Sequence, residues 1–177
     1  MLRPLLLGVL RVSSFKYKEF EAKFDERLRE VKERAESIRT GGSEVAKLPQ
    51  EATEYEELVQ IGEVSPRAAI AEAWRRVELA ATEAARVAHI DAPPRSSVTL
   101  VVRSLVREGV FSESAVEVFD QMRRLRNEAV HAPEFALNFV EVEPYIELAL
   151  RLAQDLFHAG NAAAFGRGYL KAVSVDG

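Results

Sequence analysis

One stretch of the chain carries residue types suited to work on a phosphodiester: Arg126-Asn127-Glu128-Ala129-Val130-His131, followed by Ala132-Pro133. A guanidinium holds a phosphate through paired, charge-assisted hydrogen bonds. A histidine takes or gives a proton near neutral pH. An amide beside them can orient the imidazole or a hydroxyl. Asn127 and His131 are four residues apart and so share one helix face. Arg126 lies about 140° round from His131 on an ideal helix and has to swing in. Pro133 stops the helix, which leaves His131 in the last turn, where the helix dipole favours a cation. Arg123 and Arg124 extend the basic edge of the same helix. The competing structural reading makes His131 a helix cap and pairs Arg126 with Glu128 or Glu134. A second arginine–histidine pair, Arg151 and His158, is followed by the core residue Leu152 and reads as accidental, with His158 closing a helix end.

These residues have to be placed by helices. The chain has 177 residues, 47% of them apolar and 29% charged, enough for one cored domain plus an extra helix or arm. It has no cysteine, which removes disulfides and thiolate metal sites and fits a reducing, cytoplasmic setting. The net charge is −4. Residues 15–64 hold 9 basic and 13 acidic side chains and residues 65–159 hold 11 and 14, so there is no basic arm for tight nonspecific nucleic-acid binding.

Residues 1–14 form an apolar arm, Leu5-Leu6-Leu7-Gly8-Val9-Leu10, cut short by Arg11. A membrane span needs about 20 apolar residues. The arm therefore packs on the body or on a partner, or anchors the chain peripherally at the inner membrane face, as the Leu-rich start before Arg11, Lys16 and Lys18 suggests. Phe15-Lys16-Tyr17-Lys18 alternates like an extended segment. Residues 15–40 otherwise read as a charged helix. Phe24, Leu28, Val31, Ala35 and Ile38 form a short heptad seam, open to use as a coiled-coil dimer contact or as a face docked on the next domain. Thr40-Gly41-Gly42-Ser43 ends that helix, and the acidic stretch 41–64 reads as a linker with a helical turn near 52–60.

A compact unit is expected over 65–160. Ser65-Pro66 starts a helix to about 89, faced with Ile70, Trp74, Val77, Ala81, Ala84, Ala85 and Ala88. Further helices follow at about 96–108, 113–131 and 142–159, the last ending at Gly160, with a loose tail over 161–177. The pattern predicts an all-α fold, a four-helix up-and-down bundle with an N-terminal helical arm.

The segment Leu125-Arg126-Asn127-Glu128-Ala129-Val130-His131, with Ser65-Pro66-Arg67-Ala68-Ala69-Ile70 through Trp74, resembles the HEPN superfamily over about residues 64–159. These are helical-bundle proteins marked by arginine, a polar residue, and histidine after four to six positions. The resemblance implies a homodimer with two such motifs at one cleft and metal-independent RNA cleavage by ribose 2′-hydroxyl attack, as in toxin or defence effectors with an antitoxin or other protein partner. It implies catalytic roles for Arg126, Asn127 and His131, and makes Arg123 and Arg124 candidate RNA contacts. Many relatives serve instead as non-catalytic binding or assembly modules. Three features depart from a nuclease: the domain is acidic, Glu128 lies inside the motif, and no aromatic platform for stacking bases is evident. The chain carries no cofactor signature, no metal-ligand spacing, no phosphate-cradling glycine loop and no serine elbow. Nucleotidyl transfer would need a carboxylate-rich metal site, which the sequence does not offer.

Overall fold

A computed structural model describes residues 5–38, 49–91, 97–132 and 137–175, with side chains over 19–38, 52–91, 97–132 and 137–166. The described residues are helical, with no strand among them: α1 (Leu5–Ile38), α2 (Pro49–Val64), α3 (Pro66–Val87), α4 (Val98–Arg107), α5 (Glu113–His131) and α6 (Phe139–Val175).

Helix α3 lies at the centre and packs on α2, α4, α5 and most extensively on α6. Its start follows from Ser65, whose Oγ accepts from the Ala68 amide at 3.3 Å, and from Pro66 in the first turn. Ala69, Ile70, Ala73, Trp74, Val77, Ala81 and Ala84 are buried along one face. Trp74 is core: its ring lies 5.0 Å from Phe119 and its Nε1 donates to Glu78 at 2.8 Å. Just past the C-cap Ala88, His89 takes a left-handed φ of 50°, while the Ile90 amide reaches back to the Ala85 carbonyl at 2.9 Å. This is the loop-back that usually recruits glycine, and Gly109 makes the same turn after α4.

Three expectations need correction, and one left open between two alternatives, the use of the heptad seam, is decided. The alternating Phe15–Lys18 segment is helical, because neither glycine nor proline interrupts the chain between Val9 and Arg39 and α1 continues through it. The heptad seam is used within the chain: Phe24, Leu28 and Val31 are buried against α5 and α6, Phe24 lying 6.5 Å from the Tyr145 ring. The presumed linker contains α2, anchored by the fully buried Leu58. Its acidic run meets a distant cation, with Arg76 of α3 bound to Glu57 at 2.9 Å and near Glu54 at 3.9 Å. Finally, α6 does not stop at Gly160. A Cβ there would stand 2.6 Å from the Cα of Ala84, so Gly160 is the place where α6 runs closest to α3.

The start of α6 is set by a reciprocal cap. The Glu141 amide donates to Asn138 Oδ1 at 3.3 Å and the Asn138 amide to Glu141 Oε2 at 2.6 Å. The Gly41-Gly42, Pro93-Pro94 and Pro133 breaks lie outside the described residues. Among the described residues no helix is long and apolar enough to cross a membrane.

Candidate functional site

Helix α5 carries the residues singled out above. Ser112 opens it, its Oγ accepting from the Ala115 amide at 3.2 Å. Val118, Phe119, Met122, Leu125 and Ala129 are its buried stripe, which fixes what the rest of the helix presents. Its last helical residue is His131, and its C-cap is Ala132. The orphan carbonyl of Ala132 accepts from Arg67 Nη2 at 2.7 Å, so the first turn of α3 is bound to the end of α5. Arg67 therefore stands at the same end of the bundle as His131. The sequence marks it only as a residue in a helix start, because its partner lies 65 positions away.

Arg126 is half-buried on the flank of the core stripe. Its Nη1 donates to Asn127 Oδ1 at 3.0 Å, and its Nε is enclosed without a hydrogen-bond partner. It lies close enough to Tyr145 for its charge to oppose, weakly, the burial that drives that phenol far above its ordinary pKa. The Tyr145 hydroxyl donates to the Met122 carbonyl at 3.3 Å, one turn before Arg126. Asn127 is half-buried, while His131 is exposed and makes no hydrogen bond or ion pair with any described residue. The structure thus joins Arg126 to Asn127 and leaves His131 separate from both.

The carboxylate inside the motif is drawn elsewhere. Glu128 forms an ion pair with Arg27 of α1, not with Arg126. Arg34 pairs in the same way with Glu117, so α1 runs antiparallel to α5. Of the two flanking arginines, Arg123 is half-buried with its Nε 3.5 Å from Asp120 Oδ1. Arg124 is exposed, without a hydrogen bond or ion pair to any described residue. It lines a cleft of ≈ 330 Å³ between α1 and α5, with Arg27, Glu30, Val31, Gln121, Leu125 and Glu128.

The second arginine–histidine pair is not a helix end. Helix α6 continues through His158, whose ring lies against Phe157 at 6.0 Å, and Leu152 is core. Among the described residues no group of three or more His, Asp or Glu is placed to hold a metal ion. The chain matches no family model, no curated protein and no solved structure.

Proposed function

We propose that the chain is a HEPN-like helical protein, with α3 to α6 as its four-helix bundle, and that the end of α5 cleaves RNA. The observation that supports this best is the Arg27–Glu128 ion pair. It removes the one carboxylate of the motif from Arg126 and Asn127. Arg126 and Asn127 are then free of an ion pair with that carboxylate, which weighs against the objection raised by Glu128 inside the motif.

In this reading the ribose 2′-hydroxyl attacks its own phosphorus. The bond from phosphorus to the 5′ oxygen breaks, leaving a 2′,3′-cyclic phosphate and a 5′-hydroxyl. His131 moves one proton, either from the 2′-hydroxyl or to the departing oxygen. The other transfer needs a second group, which a homodimer supplies as the partner's His131. Asn127 donates to an oxygen of the reacting unit, and the guanidinium groups offset charge on the phosphate.

A second reading is a module that grips RNA without cutting it. One observation favours it: no described side chain orients the His131 imidazole. Incubating a mixed RNA pool with the folded protein in EDTA separates the two. Cleavage that His131→Ala abolishes supports the enzyme. Binding without cleavage supports the module.

A further inference from the structure

We propose that Arg124, and not Arg126, is the arginine that grips phosphate on this face, and that Arg126 is a positioning residue acting through Asn127. The proposal rests on reading the α5 end as an RNA-handling site.

At about 100° per residue, Arg124, Asn127 and His131 fall within about 60° of one another, while Arg126 stands about 140° from His131. Burial follows the same division: Arg124 and His131 are exposed, and Arg126 is half-buried. A guanidinium grips phosphate bidentately along one of its edges. On Arg126 one edge has already given Nη1 to Asn127, and on the other Nε is closed off. Neither edge is whole.

Arg124 is the opposite case. Two carboxylates lie one helical turn from it, Asp120 before and Glu128 after, and either could neutralise it. Asp120 lies 3.5 Å from Arg123 Nε, an ion pair without a hydrogen bond, and Glu128 is bonded by Arg27. Two other arginines thus draw on these two acids; Glu30 of α1 lines the same cleft but forms no ion pair with Arg124, which keeps its donors open on the cleft wall. Arg124 and His131 are about 10 Å apart along the axis, two turns of helix. Arg124 therefore holds a phosphate flanking the one at His131 and aligns the strand along α5. Arg126 has a different task. By donating to Asn127 Oδ1 it fixes the amide, so that Nδ2 is the atom left to donate to the substrate.

The test is binding of an uncleavable 2′-O-methyl oligonucleotide, followed by fluorescence anisotropy across a salt series. Each phosphate contact on a single strand adds about 0.7 to the slope of log K against log salt. Arg124→Gln is expected to lower the slope by about that amount and to weaken binding several-fold. Arg126→Gln and Arg126→Met, checked for fold by circular dichroism, are expected to leave the slope unchanged while moving the Asn127 side-chain amide resonances. In the wild-type protein, the Arg124 side-chain Nε resonance should shift on titration and that of Arg126 should not. A slope that depends on Arg126, or a shift at Arg126 alone, overturns the assignment. Absence of binding by the wild-type protein at low salt overturns both the assignment and the RNA reading beneath it.

Discussion

Substituting Gly160 by alanine tests the packing that holds the bundle together. In an ordinary helix interior this change stabilises by about 0.5–1 kcal/mol, because alanine restricts the unfolded chain and favours the helix. Here the added Cβ would stand 2.6 Å from Ala84 Cα, 2.9 Å from its Cβ and 3.0 Å from its carbonyl oxygen. Two of those three atoms are backbone, so no rotamer change on α3 relieves the contact, and Ala84→Gly removes only one of the three. Helix α6 must move away from a face lined by Ala81, Ala84 and Ala85. Overpacking of this kind costs about 1–3 kcal/mol. Set against the propensity gain, the expected net loss is about 1–2 kcal/mol. Urea denaturation should show a lower midpoint with an unchanged slope. For a chain of this size Tm should fall by roughly 2–4 °C per kcal/mol. A neutral or stabilising Gly160→Ala would refute the close α3–α6 contact and restore Gly160 as a helix stop.

His89→Gly should stabilise the protein by about 1 kcal/mol, read as a higher Tm, because His89 holds a φ of 50° that glycine adopts without steric cost. Tyr55→Phe removes the hydrogen bond from the Tyr55 hydroxyl to Glu143 and should cost about 1 kcal/mol in chemical denaturation. That bond also raises the Tyr55 phenol from 10.0 to about 12, so the fold favours the protonated form. Its contribution is complete below pH 10 and is lost as pH rises through about 12, and the wild type should show a loss of stability over that window which the Phe variant lacks. Arg27→Gln breaks an ion pair whose partners are 50% and 41% exposed, so stability should fall by at most about 1 kcal/mol. Its effect should appear in RNA affinity instead, since Glu128 is then free to repel the strand.

How much of this was legible depended on whether the signal was local. Ser65-Pro66 and Ser112 announce their helices because a cap acts within three residues of itself. The end of α5 at His131 was readable from the chain alone for the same reason. The seam through Phe24, Leu28 and Val31 was visible as a pattern, but a heptad does not say whether its partner belongs to the same chain. Helix α2 was obscured because, among its described residues, Leu58 is the one large apolar side chain that is fully buried, and its acids find Arg76 across a turn of chain. Gly160 misled because a glycine that permits close approach looks the same as one that ends a helix. The Asn138–Glu141 cap is also local, its two partners standing three residues apart. At the site, Arg126, Asn127 and His131 were evident as residue types. Which arginine stays free was not, because it is decided by Arg27, 101 positions from Glu128.

The central claim is that the α5 end breaks RNA by 2′-hydroxyl attack with His131 moving a proton. The most direct measurement is end-group analysis of an RNA cut in EDTA, beside the same RNA carrying a single 2′-deoxy residue at the cut position, for the wild type and His131→Ala. The account predicts a 2′,3′-cyclic phosphate end, no cut at the deoxy position, and no cut of either substrate by the folded variant. Undiminished cleavage by His131→Ala, or cleavage at the deoxy position, would contradict it.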